Sequence, residues 1–360
     1  MTRIYIHIPF CKKICSYCDY CKVFYNPKWS HDYLIKLKEE IEDFYDNRAI
    51  QSIYIGGGTP SCLSTKELDY LFYLCSNFKK IGKIEFTFEC NLEDINKDLL
   101  KQLKSGGVNR LSIGIQSFNE HKLFLMGRDH NYEDASEKIK LCRELGFTNI
   151  NLDLIYGFQN ETLEDLEEDL DLFISLKPDH ISTYSLLINP NTILFLNRIE
   201  PIDEDLDAEM YELIKRKLNR RKYQQYEVSN FALKTHESRH NLAYWDNEEY
   251  FGFGVSAAGY IDGVRYNNTK SLTKYLKGDY ASERIILSQK DIMDYAIMLG
   301  LRKTKGIDIN EFENKYQIKI KETYPIEPLL KSKQLIEKKG MIFINPDMLY
   351  LMNEILIKLV

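Results

Sequence analysis

The sequence predicts an α/β protein: an incomplete (β/α)6 barrel followed by a small, mainly helical C-terminal domain. Three observations carry this expectation. Six short β-branched or aromatic segments alternate with six amphipathic helical segments between residues 4 and 221. A β–α order implies a parallel sheet with helices packed outside it, and six units stop short of the eight that close a full barrel. After about residue 222 the alternation gives way to an aromatic, glycine-punctuated stretch, and helical patterning returns from about 285. The expected division is therefore 1–222 for the partial barrel, 223–284 for an extension, and 285–360 for a C-terminal domain.

The strands are expected in "IYIHI" (4–8), "SIYIGGG" (52–58), "KIEFTFEC" (83–90), "RLSIGIQS" (110–117), "NINLDLIYG" (149–157) and "HISTYSLLI" (180–188). Each alternates or runs apolar, as buried parallel strands do. Helices are expected between them. "WSHDYLIKLKEEIEDFY" (29–45) carries an apolar stripe and opens on a serine that suits a cap. "STKELDYLFYLCSNF" (64–78) opens with a Ser-x-x-Glu capping box. "NKDLLKQLKSGG" (96–107) ends in glycine, as helix C-termini often do. "NYEDASEKIKLCRELGF" (131–147), "TLEDLEEDLDLFISL" (162–176) and "DEDLDAEMYELIKRKLNRR" (203–221) complete the set. Further on, 288–302 and 308–317 read as helices, and the tail from Met341 reads as a strand, a turn and a closing helix.

Composition narrows the function classes. Apolar residues make up 44% of the 360 and charged residues 28%, with a net charge of −6. No global positive field draws nucleic acid. No apolar run approaches the roughly 20 residues of a membrane span, and the start lacks a secretory leader's pattern. The expectation is a cytoplasmic protein. In a reducing compartment, clustered cysteines point to a metal or to catalysis rather than to disulfides. Cys62, Cys75, Cys90 and Cys142 are scattered among apolar residues and read as buried inert thiols.

The other four cysteines fall in "CKKICSYCDYC" (11–21), directly after the first strand. Cys11, Cys15 and Cys18 are spaced C-x3-C-x2-C and can converge on one centre. Zinc usually takes four ligands, often as two C-x2-C pairs, and no second pair exists here. An iron–sulfur cluster held by three thiolates keeps one iron open. Cys21 is a fourth candidate ligand, a reserve or a spectator. "GGGTP" (56–60) ends the second strand, and its glycines let backbone amides approach a ligand. The bland reading is an ordinary strand–helix turn. Glu89, Gln116 and Asp153 lie at or near later strand ends, where a barrel places its active site. Each would be expensive to bury unpartnered, and each could instead cap a neighbouring helix.

The three-cysteine loop after the first strand resembles the radical S-adenosylmethionine (SAM) superfamily. "IYIHIPFCKKICSYCDY", "GGGTP", "GVNRLSIGIQSF" and "NLDLIYGF" narrow the resemblance to the branch of oxygen-independent coproporphyrinogen III oxidases and HemW-like heme chaperones, over about residues 3–305. The resemblance implies a 4Fe–4S cluster on Cys11, Cys15 and Cys18, whose open iron binds SAM and whose electron releases a deoxyadenosyl radical. It implies SAM contacts from Tyr5, Tyr17, Gly57, Gly58, Thr59, Glu89, Gln116, Arg128 and Asp153. Three features favour the chaperones. The chain begins almost directly with strand one. Asp19 and Tyr20 follow the third cysteine, so Cys21 comes one position later than the oxidases' fourth. "HNLAYW" supplies His240, Asn241, Tyr244 and Trp245, a signature associated with heme binding. A neutral imidazole can ligate heme iron, and Tyr and Trp offer flat apolar surface. A histidine held by hydrogen bonds in a loop is the competing reading.

The expected cofactors are therefore the cluster, SAM and heme, and the expected partners are heme and heme-recipient proteins. Peripheral membrane contact and a homodimer stay open. The runner-up activity is decarboxylation of two propionates to vinyls by a coproporphyrinogen III oxidase. A zinc-stabilised, non-catalytic barrel is the third reading. "YFGFGVSAAGY" (250–260) lacks dinucleotide-fingerprint spacing and reads as a tight loop beside the active-site mouth.

Overall fold

The computed structural model describes residues 2–360. All six expected strands form: β1 (Thr2–Ile8), β2 (Ile50–Gly57), β3 (Lys80–Asn91), β4 (Arg110–Gln116), β5 (Ile150–Tyr156) and β6 (His180–Ser185). They pair in parallel in that order. The helices between them are α1 (Pro27–Phe44), α2 (Thr65–Ser76), α3 (Lys97–Ser105), α4 (Glu120–Met126), α5 (Tyr132–Glu144), α6 (Leu163–Ser175), the single turn α7 (Ile193–Leu196) and α8 (Glu204–Arg220).

Local chemistry explains most boundaries. Ser64 and Glu67 close the expected capping box on α2. The expected serine cap of the first helix is corrected. Asn26 is the cap, accepting from the backbone of Lys28 and Trp29, and Pro27 opens the helix. Proline suits that position because its missing N–H would be unpaired there anyway. Ser30 is instead buried inside α1 and donates to Glu67. Helix α4, capped by Asn119, was not expected from the sequence.

The extension does not stand apart from the sheet. After α8 come β7 (Gln224–Gln225), β8 (Asn230–Ala232), α9 (Arg239–Trp245), β9 (Tyr250–Phe253), β10 (Ala258–Ile261), β11 (Val264–Asn268), α10 (Leu272–Tyr275) and β12 (Ala281–Ile286). The result is one open 12-stranded sheet in the order β12-β11-β10-β9-β1-β2-β3-β4-β5-β6-β8-β7. Strand β9 runs parallel to β1 and β8 antiparallel to β6. The segment 250–260 is therefore two strands joined by a short turn, not one loop. One core runs from Ile4 to Tyr280. A second, from Met293 to Leu359, holds α11 (Gln289–Gly300), α12 (Ile309–Tyr316) and a three-stranded sheet of Ile307–Asp308, Met341–Ile344 and Leu335–Lys338. The C-terminal region thus carries strands as well as helices. Among the described residues, no helix is long and apolar enough to cross a membrane.

Alternation along the six parallel strands sets up the interior. Ile4, Ile6 and Ile8, Ile53 and Ile55, Phe86 and Phe88, Leu111 and Ile113, and Leu152 and Leu154 belong to the core under the helices. The opposite face is polar. Register aligns Arg3 with Ser52 and Tyr5 with Tyr54, then Tyr54 with Thr87 and Glu89 with Ser112, and finally Asp153 with Ser182. A side-chain period of two places these polar groups together on the concave side.

Candidate functional site

The cysteine loop leaves the end of β1 and is pinned where it returns. Phe10 and Cys11 pair in parallel with Val23 and Phe24. Ser16 stitches the loop to two neighbours: its N–H donates to Met126, its hydroxyl to Leu125, and its carbonyl accepts from Leu194. The Lys22 ammonium donates to the Cys18 carbonyl, and Asn189 holds Asp19 at 2.5 Å.

Cys11 is buried, and Cys15 and Cys18 are partly accessible; all three are free thiols. Burial pushes the Cys11 thiol up to about 11, and the charges of Cys18 and Cys15 raise it further. Burial also raises Cys18, with Cys15 contributing. Cys21 belongs to a different environment. Its thiol donates to the Lys270 carbonyl at 3.3 Å, and the charges acting on it are those of Lys270 and Lys22. Among the described residues, no three Cys, His, Asp or Glu side chains are gathered tightly enough to hold a single metal ion.

The glycine run packs against this loop. The Gly58 N–H donates to the Ile8 carbonyl and the Thr59 N–H to the Phe10 carbonyl, both at 2.8 Å. The Thr59 hydroxyl reaches the Cys11 sulfur at 3.4 Å. A Cβ on Gly58 would lie 3.0 Å from that sulfur and 2.8 Å from the Phe10 carbonyl oxygen. Gly57 adopts a φ of 114°, which only glycine tolerates, and its N–H donates to Glu89 at 3.0 Å.

Glu89, Asp153, Gln116 and Arg128 converge on the same end of the sheet. Glu89 also accepts from the Tyr54 hydroxyl at 2.7 Å. Burial raises its carboxyl to about 7; the Tyr54 hydrogen bond opposes this and the Asp153 charge adds to it. Asp153 is likewise raised by burial, against a 2.8 Å hydrogen bond from Asn151. Among the described residues neither carboxylate has a salt-bridge partner, and the Arg110 charge opposes the rise of both. Gln116 sits at φ 76°, where the β4–β5 register slips, a strained conformation of the kind that clusters at binding sites. The buried Arg128 guanidinium donates to the Gly114 carbonyl at 3.0 Å, to Asn91 at 3.2 Å and to Tyr17 at 3.5 Å. Its Nε has no partner.

Two tyrosines stand beside these groups. Tyr184 is 43% exposed and Tyr20 66%. Desolvation by the surrounding protein nonetheless raises both phenols, and the charges of Glu89 and Asp153 add to this at Tyr20 and that of Asp153 at Tyr184. Tyr5 is raised too, and its hydroxyl meets His7 Nδ1 at 3.0 Å. His7 Nε2 in turn bonds the Cys21 carbonyl at 2.9 Å. The donor set fits a cysteine-held cluster beside a small polar ligand: loop thiols, a glycine cradle that a methyl group would fill, two half-buried carboxylates and a guanidinium with an unused N–H.

The second group of expected residues is placed elsewhere. Helix α9 lies toward the N-terminal ends of the strands, opposite the cysteine loop. Glu85 of β3, in register with Ser52 of β2, accepts from the N–H groups of Arg239 and His240. The His240 side chain is fully buried. Its Nδ1 bonds the Ser52 hydroxyl at 2.8 Å and its Nε2 the Tyr244 hydroxyl at 2.7 Å. Burial pushes its pKa down to about 3. In this conformation both ring nitrogens are engaged by protein hydroxyls. Asn241, Tyr244 and Trp245 keep partial exposure. The Trp245 Nε1 is buried without a partner, and the Arg302 guanidinium lies 5.6 Å above its ring.

Tyr54, Asn91, His7 and Ser112 were not among the expected site residues. A signal existed: polar residues recurring at every second position of otherwise apolar strands.

Residues 5–173 match the family model of the radical SAM superfamily, and residues 287–350 match that of the HemN C-terminal domain. The chain is 39% identical over 329 residues to the heme chaperone HemW of Lactococcus lactis, covering 89% of this chain and 86% of the relative. It is 36% identical over 368 residues to the heme chaperone HemW of Bacillus subtilis, covering 98% and 96%. Among solved structures, coproporphyrinogen III oxidase (HemN) from Escherichia coli aligns with a TM-score of 0.86 at 24% identity, covering 99% of this chain and 89% of that one. That last likeness speaks for the fold.

Proposed function

This chain belongs to the HemW heme chaperone family within the radical SAM superfamily, and on that premise we propose that it binds a 4Fe–4S cluster, SAM and heme, and hands heme to recipient proteins. Cys11, Cys15 and Cys18 would hold the cluster, which when bound supplies one-electron reduction of SAM. Gly57, Gly58, Thr59, Glu89, Gln116, Arg128 and Asp153, with Tyr5 and Tyr17 beside them, would hold SAM. The carboxylates accept from its donor groups, and the guanidinium suits its carboxylate.

The observation that carries the cluster assignment is the split among the four loop cysteines. The Cys11 sulfur lies against the Thr59 hydroxyl of the glycine cradle at 3.4 Å, while Cys21 is turned away to the Lys270 carbonyl at 3.3 Å. This speaks against zinc, which usually takes four protein ligands in a structural site. It also speaks for a three-thiolate cluster that leaves room for SAM.

Heme is assigned to the segment around α9. Tyr244 and Trp245 offer partly exposed aromatic surface there. His240 would hold that segment in place while the iron takes its ligand elsewhere. The division into a barrel (1–222), an extension that borders its sheet on both sides (223–284) and a C-terminal domain (285–360) belongs to the same proposal, as does a cytoplasmic setting where thiols stay reduced.

Anaerobic reconstitution tests this reading. Iron and sulfide analysis, SAM titration and heme titration on one preparation should each show binding. A colourless protein that retains zinc, or a brown one that takes up no heme, would count against it.

A further inference from the structure

A column of side chains runs along the polar face of the sheet, from His240 through Tyr54 to Glu89. His240 lies under Tyr54, with ring centroids 5.2 Å apart and planes inclined by 39°. Below, Tyr244 meets the His240 ring edge-on at 4.9 Å. With hydrogen bonds to Ser52 and Tyr244 at its two nitrogens, the imidazole has one orientation available. Above, the Tyr54 hydroxyl donates to one oxygen of Glu89 at 2.7 Å, and the Gly57 N–H donates to the other at 3.0 Å. Gly56 makes the room, since a Cβ there would lie 2.6 Å from the carboxyl carbon. Glu89 is thus gripped at both oxygens by β2.

We infer that Tyr54, seated on His240, is a positioning residue that aims the Glu89 carboxylate at a donor group of SAM, its ammonium or a ribose hydroxyl. The signature around His240 then serves the SAM site from the far end of the barrel. This inference rests on the reading of Glu89 as a SAM contact.

The charge state of Glu89 provides a readout that a purely structural role would not move. Tyr54 and Gly57 face it from β2, Arg110 from β4 and Asp153 from β5, and its charge is felt by Tyr5 on β1 and by Tyr20 on the cysteine loop. Burial and Asp153 hold the proton on; Tyr54, Gly57 and Arg110 favour the carboxylate. Removing the Tyr54 hydroxyl therefore raises the pKa further. The accepting form is then lost at a higher pH.

The test is SAM titration of cluster-loaded protein, anaerobic and without reductant, from about pH 6 to about pH 9. The wild type should lose affinity as pH falls through about 7. Tyr54→Phe should move that fall upward by about one pH unit or more and weaken binding about tenfold near neutrality, with recovery at the alkaline end. His240→Gln should shift the profile the same way and leave the heme absorption spectrum unchanged. Titration of the SAM amino group is common to all variants and cancels in the comparison.

A wild-type profile in Tyr54→Phe, while Glu89→Ala binds SAM weakly, overturns the inference and leaves the SAM reading standing. A uniform loss at every pH also overturns it. A changed heme spectrum with an unmoved SAM profile in His240→Gln would return the signature to the iron. Unchanged affinity in Glu89→Ala would instead defeat the underlying assignment of Glu89.

Discussion

Gly58→Ala puts a single methyl group between the glycine cradle and the cysteine loop. The new Cβ would lie 2.8 Å from the Phe10 carbonyl oxygen, 2.8 Å from the Pro9 carbonyl carbon and 3.0 Å from the Cys11 sulfur. Two of the three neighbours are backbone, so no side chain can rotate away. Gly58 does not have a left-handed φ, and the cost is therefore steric. Overpacking of this kind costs typically about 1–3 kcal/mol. The lower entropy of an unfolded alanine chain offsets roughly 0.5 kcal/mol of it. The net expectation is a loss of about 1–2 kcal/mol, relieved by moving the Pro9–Cys11 segment and with it the first thiol. Iron and sulfide content after anaerobic reconstitution should drop well below that of the wild type, and SAM affinity should drop with it. Gly82→Ala provides the control. Gly82 has a φ of 64° and nothing within 4 Å of its Cβ, so the strain of about 1 kcal/mol should leave cluster loading intact. Full cluster loading and unchanged SAM affinity in Gly58→Ala would refute the packing argument.

Cys11→Ala, Cys15→Ala and Cys18→Ala should each abolish the reconstituted cluster by iron analysis and EPR, while Cys21→Ala should keep it. Loss in Cys21→Ala would make that residue a fourth ligand. Lys122→Met should lower stability by about 3–5 kcal/mol in chemical denaturation, because it strands two buried carboxylates, Glu161 and Asp169, that now share one ammonium. Wild-type stability in that variant would show that the triad contributes nothing. Burial raises Glu40 from 4.5 to about 7, against hydrogen bonds from Tyr275, Gly254 and Asn268. The folded state then holds this proton more tightly than the unfolded chain, so its contribution to stability is full at low pH and is lost as pH climbs from about 4.5 through about 7. Glu40→Gln should flatten that part of the stability–pH curve, and an unchanged slope would assign it to other groups. Trp245→Ala should weaken heme binding by removing apolar contact without altering the iron-ligand spectrum; unaltered affinity would move the heme away from α9.

The sequence was most legible where the interactions are local. Six strands and the helices between them follow from periodicity, and the Ser64 capping box follows from a three-residue spacing. Helix α1 starts one turn before Ser30, because Asn26 followed by Pro27 is the stronger start. The unexpected α4 is only seven residues long, too short for a clear apolar stripe. The cysteine loop was legible as a unit, but the direction of Cys21 depends on Lys270, 249 residues away. Tyr54, a tyrosine in an apolar strand, has the local pattern of a core residue. Only the register with Tyr5 and Thr87 puts it on the concave face. The burial of His240 depends on Ser52 and Glu85, at separations of 188 and 155 residues, which no local pattern encodes. The place of 223–284 was hidden for the same reason: β8 and β9 join opposite sides of the parallel sheet.

The central claim is that this chain carries heme and does not make its precursor. One measurement addresses it directly. Cluster-loaded protein with SAM and a reductant is divided between an assay for coproporphyrinogen III decarboxylation and an assay for transfer of bound heme to an apo-hemoprotein. The account predicts stoichiometric heme uptake, transfer to the acceptor and no decarboxylated porphyrinogen. Sustained conversion of propionates to vinyls, with no transferable heme, would contradict it and make the chain an oxidase.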